Sequence, residues 1–188
     1  MVNEIYVSID IETNGPIPGM YSMLSLGAVA FNKCGEEIAS ISANLLPLMG
    51  ASEDPETMKW WSTQPDAWVA CSTNQQKPRL VMEGFSRLLD SLPGFPVFVA
   101  YPVAFDIMFL YWYLQKFVGK TPVGFRAIDI RSFIMGKFGR HYHKSHKGDL
   151  PAYLRPPKGE HTHVAVEDAR EQGKWFMLLM STSPTIQA

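Results

Sequence analysis

Apolar residues alternate along Glu4 to Ile11, with Ile5, Val7, Ile9 and Ile11 at every second position. That is the period of a strand with one face turned to a core. Ser22 to Asn32 and Glu37 to Leu46 predict two further strands, separated by the turn signal Lys33-Cys34-Gly35-Glu36. Three such strands in succession predict an antiparallel meander. The period then lengthens. Asp54-Pro55 predicts a helix start, with Asp as N-cap and Pro at the first helical position, and Pro65-Asp66 predicts a second short helix. Pro78 to Leu92 places Leu80, Val81, Phe85, Leu88 and Leu89 at helical spacing before Pro93-Gly94. Pro96 to Tyr101 predicts an interior strand, Phe105 to Val118 an apolar helix, Ala127 to Ile130 a short fifth strand, and Val164 to Met180 a final helix with Ala165, Ala169, Phe176 and Leu179 inward. Residues 137–162 lack periodicity and predict a long loop. Strands followed by alternating strands and helices predict an α/β layer fold.

The chain has 188 residues, enough for a real core, and reads as one domain over 1–188. Its 17 Lys and Arg against 18 Asp and Glu give a net charge of -1, which excludes a basic field over the whole surface. The average hides a split. Residues 137–163 hold Lys137, Arg140, Lys144, Lys147, Arg155 and Lys158 against Asp149 and Glu160, and all five histidines. This stretch is basic and the remainder acidic. Cys34 and Cys71 form no disulfide framework or metal spacing, and no signal-type run opens the sequence, so a reducing cytoplasm is expected. Val97 to Leu114 is apolar apart from Asp106, but its Pro102 and that charge argue for a buried strand and helix rather than a membrane span.

Asp10 and Glu12 lie two apart near the end of the first strand, hence on one face. Paired carboxylates repel and raise each other's pKa unless compensated. A divalent cation such as Mg²⁺ or Mn²⁺ does this; solvated acids on an edge strand are the alternative. Asp106 opens an apolar helix just past the fourth strand. There it serves either the helix dipole or a ligand at the strand ends. In the last motif, His163 precedes the final helix and Asp168 lies within it, with Glu167 as its neighbour if the register shifts by one. An imidazole of ordinary pKa, about 6.5, suits a general base near neutrality.

The order Asp-x-Glu, Asp, His-x4-Asp, carried by SIDIETNG (Ser8–Gly15), VAYPVAFD (Val99–Asp106) and HVAVEDA (His163–Ala169), resembles the DEDDh group of 3′→5′ exonucleases in the ribonuclease H-like superfamily. DPETMKWWSTQPDAW (Asp54–Trp68) and IDIRSF (Ile128–Phe133) are similar to segments of exonuclease VIII-like phage and bacterial nucleases, and the likeness runs over roughly residues 4 to 180. The resemblance implies an α/β ribonuclease H-like fold, a mixed five-stranded sheet with helices on both faces. It implies two Mg²⁺ or Mn²⁺ ions held by Asp10, Glu12 and Asp168, with Asp10 bridging and Asp106 supporting the second through water, and His163 as general base. The implied reaction hydrolyses single-stranded DNA or RNA from 3′ ends to nucleoside 5′-monophosphates. One dication would lower the pKa of the attacking water, the other neutralise the leaving oxygen. A homodimer is compatible with it, and no membrane is involved. A non-catalytic nucleic-acid-binding module with the same fold, or an exoribonuclease rather than a DNA exonuclease, are the alternatives.

Candidate substrate contacts are Thr13, Trp61, Gln64, Arg131, Lys144 and Lys147. Adjacent Trp60 and Trp61 cannot both face the core of a helix, so one packs while the other, with Gln64, is placed to stack on a terminal nucleotide. Arg131 pairs either with Asp129 or with a phosphate. The basic stretch is open to three readings: a phosphate-tracking arm using Lys144 and Lys147, a zinc site from His141, His143, His146 and His161, or a solvated loop.

Overall fold

The computed structural model describes residues 3–156 and 163–184. Five strands form one mixed sheet: β1 (Glu4–Thr13), β2 (Met23–Phe31), β3 (Glu37–Asn44), β4 (Phe95–Ala100) and β5 (Ala127–Asp129), in spatial order β3-β2-β1-β4-β5. The first three make the expected antiparallel meander, and β4 and β5 join in parallel. The helices are α1 (Pro55–Trp61), α2 (Pro65–Ser72), α3 (Pro78–Ser91), α4 (Val103–Phe117), α5 (Ile130–Phe138) and α6 (Ala165–Ser181).

The alternation in β1 sorts the layers. Ile5, Val7, Ile9 and Ile11 pack with Phe85 and Leu89 of α3 and Phe109, Leu110 and Tyr113 of α4. On the opposite face Tyr6, with Val97 and Val99 of β4, packs against Ile130 and Ile134 of α5 and Trp175, Phe176 and Leu179 of α6. Helices therefore cover both faces. The even-numbered face of β1 carries Asp10 and Glu12, so these acids look towards α6. Two glycines let that helix lie close. A Cβ on Gly27, which pairs with Asp10 across β1 and β2, would come within 2.2 Å of the Ala165 backbone. One on Gly173 would come within 2.3 Å of the Phe31 ring.

The apolar stretch from Val97 to Leu114 is buried strand β4 running into α4, and no helix among the described residues is long and apolar enough to cross a membrane. The expected loop over 137–162 is corrected by the structure. Helix α5 reaches into it as far as Phe138, and single 3-10 turns follow at Tyr142–Lys144, Lys147–Asp149 and Ala152–Leu154. Leu150 and Leu154 are buried in the α6-side core. Two apolar anchors spaced by four residues hold the segment down although it has no helical period. The part of the expected loop at 157–162, with Lys158 and His161, lies outside the described residues.

Candidate active site

The pairing of β1 with β4 ends at Ser8 and Val99, so β1 runs on past its parallel neighbour towards Thr13. Asp106, buried in the first turn of α4, fills the gap: its Oδ1 accepts the Ile11 N–H at 3.2 Å. The helix-start acid is thus tied to the strand that carries Asp10 and Glu12. From the other side, the Gln172 side chain of α6 donates to the Ile9 carbonyl and fixes α6 on β1. Glu167, one residue before Asp168, is exposed and bonds Arg170 at 2.8 Å. The register question closes on Asp168.

Glu12, His163 and Asp168 offer ligand atoms that all lie within 4.8 Å of one another. Nδ1 of His163 is 3.9 Å from Oε1 of Glu12. Asp10 stands beside this group and shares with Asp168 the lining of a cavity of about 50 Å³, with Tyr101, Lys147 and Gln172 around it. The electrostatics are those of acids crowded away from water. Burial, then Asp106, Glu12 and Asp168 in turn, pushes the Asp10 carboxyl well above its usual range. Burial followed by the charges of Asp168 and Asp106 raises Glu12 to about 8. Burial raises Asp106 to about 7 against the opposing pull of its backbone hydrogen bonds. Four buried or half-buried carboxylates at one strand end are an oxygen-rich donor set with unmet negative charge, which fits a hard divalent cation.

His163 has φ +51, a left-handed backbone that a non-glycine residue adopts only where neighbours hold it. One such neighbour is Trp60, whose ring meets the imidazole edge-on at 4.9 Å. Here the expectation for the tryptophan pair is corrected. Trp61 is the one that packs: it is 2% exposed and donates its ring N–H to the Thr13 carbonyl at 2.9 Å. Trp60 is 40% exposed, so it is the ring of the pair that turns outward. Helix α1 is set for this by Asp54, which caps Thr57 N at 2.8 Å as expected.

Other candidates have local occupations. Thr13 is buried and closes a turn by donating to the Gly15 carbonyl at 3.0 Å. Gln64 is the residue before α2, half-buried, at the α1–α2 corner. Asp129 caps α5 through Ser132 N at 2.7 Å and also accepts Val103 N. Arg131 instead lies over the Tyr142 ring at 4.0 Å and donates to its carbonyl at 2.9 Å. Lys147 reaches the cavity of Asp10 and Asp168, while Lys144 stands exposed on the turn before it. The loop histidines do not converge as a zinc site among the described residues. His141 and His143 stack on each other at 5.7 Å, and His146 Nδ1 bonds the Tyr101 hydroxyl at 3.0 Å. Tyr101, which lies inside the VAYPVAFD segment, borders the site, as do Gln172 and Gly27, which no sequence motif marks.

Residues 5–180 match the model of the 3′-5′ exoribonuclease Rv2179c-like domain. The chain belongs to that family. As a DEDDh-type 3′→5′ exonuclease it is 33% identical to the 3′-5′ DNA exonuclease Cap18 of Escherichia coli, over 94% of this chain and 91% of that one. Two solved structures share the exonuclease's fold at low identity. One is the nuclease domain of 3′hExo, a DEDDh family member bound to rAMP, at TM-score 0.69 and 9% identity, with 95% and 92% of the two chains covered. The other is E. coli exonuclease I with a dA16 oligonucleotide, at TM-score 0.68 and 12% identity, with 98% and 42% covered.

Proposed function

We propose that this exonuclease removes nucleoside 5′-monophosphates from the 3′ ends of single-stranded DNA, using two divalent cations, Mg²⁺ or Mn²⁺, and His163 as general base. The observation that carries the reading is the convergence of Glu12, Asp168 and His163 within 4.8 Å at the strand end where Asp10 and Asp106 also lie. Asp10, Glu12 and Asp168 would hold one cation, and Asp10 with Asp106 would serve the other. Bound there, the cations supply an attacking water of lowered pKa and charge neutralisation at the leaving 3′ oxygen.

The chain's own groups do the rest. His163, half-exposed at the cleft edge and steadied by Trp60, takes the proton of the attacking water. The exposed face of Trp60 stacks on the terminal base.

DNA is favoured because the Cap18 relative, similar along nearly its full length, carries a DNA exonuclease name, whereas the family description names an exoribonuclease. Paired 5′-labelled deoxyribo- and ribo-oligonucleotides with Mg²⁺ test this directly. The expected result is a ladder shortened from the 3′ end, faster for DNA, abolished by chelation and by Asp10→Ala. Faster loss of the ribo-strand reverses the sugar assignment. Cleavage that survives chelation or Asp10→Ala removes the metal mechanism. A chain that binds oligonucleotide but cuts neither strand is a binding module.

A further inference from the structure

The segment after α5 spends several of its cations on itself. Arg140 donates to the carbonyls of Lys144 at 2.8 Å and Asp149 at 3.0 Å, Arg155 to that of Leu150 at 2.7 Å, and Lys137 to that of Met180 at 2.7 Å. The buried Ser145 hydroxyl donates to the His141 carbonyl, and the Trp175 ring N–H on α6 donates to the Leu154 carbonyl at 2.7 Å. With Leu150 and Leu154 buried and His146 bonded to Tyr101, residues 140–156 are a fixed wall standing beside the carboxylates.

Other groups of the same segment face the cleft or the solvent. Lys147 lines the cavity of Asp10 and Asp168. One turn earlier the chain exposes Tyr142 and Lys144, with the guanidinium of Arg131 against the tyrosine ring. Arg131 is the second residue of α5, directly after β5, so it sits at the same end of the sheet as the C-terminal ends of β1 and β4. A cation in the cleft followed by a ring and two more cations at one end of the sheet suits an alternating ligand of phosphates and bases. Single-stranded nucleic acid is that ligand.

We propose that Lys147, Lys144, Tyr142 and Arg131 form a strand subsite that receives the nucleotides 5′ of the scissile bond, so that the enzyme distinguishes long strands from short ones. The proposal rests on the exonuclease reading for its direction along the strand. Lys147 receives the phosphate nearest the cleft, Lys144 and Arg131 receive later phosphates, and the Tyr142 ring supports a base between them.

The test measures binding of 5′-fluorescein single-stranded DNA, as a trinucleotide and as a strand of about 12 nucleotides. Asp10→Ala protein is compared with the same protein carrying Tyr142→Ala and Lys144→Gln, by anisotropy over a salt series. The expected outcome is an about tenfold fall in the long-to-short affinity ratio and a salt slope flattened by about 0.7, the release from one lost phosphate contact. Lys144→Arg, with Tyr142 intact, should restore the slope. An unmoved ratio and slope overturn the proposal, as does an equal loss for both lengths, which would make the turn a support of the fold. Failure of the exonuclease reading is separate: unsubstituted protein would then leave a 5′-labelled strand uncut, whatever the binding ratio.

Discussion

Asp10, Glu12 and Asp106 stand on a long strand and a helix, buried beside apolar side chains, whereas Lys144 and Lys147 stand on a segment whose longest regular piece is a single 3-10 turn. Asp10 from the first region and Lys147 from the second line one small cavity. The carboxylate floor is positioned by the sheet, and its charges are uncomfortable there: burial and mutual repulsion raise their pKa values. The wall is positioned by its own guanidiniums bonding its own carbonyls, and it leaves Lys144 exposed. One region concentrates buried carboxylates, and the other carries cations at or near the surface; on the proposals above, the first serves a cation and the second a polyanion. Floor variants should therefore change chemistry and metal affinity, and wall variants strand affinity and its salt dependence.

After the abolition expected for Asp10→Ala, the largest effect should come from His163. His163→Ala should lower turnover by about 10²–10⁴-fold while Mn²⁺ still raises the melting temperature, because the carboxylates keep the ion. If the thermal response to Mn²⁺ disappears with the activity, His163 is a ligand and belongs to the floor.

Gly27 is the next point of attack. Gly27→Ala would drive a methyl into the Ala165 backbone, where 2.2 Å is available, and should cost about 1–3 kcal/mol in denaturant unfolding. Since α6 carries Asp168, activity should fall by more than the lost stability explains. Unchanged activity in the folded variant would mean that the approach of α6 is not what sets the floor.

A smaller effect distinguishes floor from wall by pH. Glu12 holds its proton to about 8 and Asp106 to about 7 when folded, against 4.5 and 3.8 for the free groups. Between these limits the folded chain binds more protons than the unfolded one, so stability falls as pH rises. The metal-free melting temperature should therefore decline from pH 5 to pH 8, and Mg²⁺ should restore more of it at pH 8 than at pH 5. A metal-free curve that rises over this window would show that the acids are already compensated. Lys144→Gln should leave the shape of the curve unchanged.

The floor was largely legible in the sequence because it obeys short rules. Alternation in β1 put Asp10 and Glu12 on one face, the Asp54-Pro55 cap began α1, and helical spacing turned Ala165, Ala169 and Phe176 inward. The wall was not, because its order is tertiary. Helix α5 buries only Ile130 and Ile134, too few for a periodic signal, and its cap, Asp129, also read as a partner for Arg131. The carbonyls that Arg140 and Arg155 bind have no sequence signature at all. The tryptophan pair failed for another reason. Adjacency says that one ring must turn out, but only the Thr13 carbonyl, 48 residues away in the chain, decides that Trp61 turns in.

The order in which the floor's residues occur along the chain also sets a schedule. Asp10 and Glu12 belong to the first strand and Asp106 to the fourth helix, whereas His163 and Asp168 arrive with α6. A chain emerging from its N-terminus collects three acids long before His163 and Asp168. Until α6 docks on β1 through Gln172, the set that joins His163 and Asp168 to Glu12 does not exist. The element that covers the final face of the sheet is thus also the one that completes the cluster, and a nascent chain passes through most of its synthesis with that cluster incomplete.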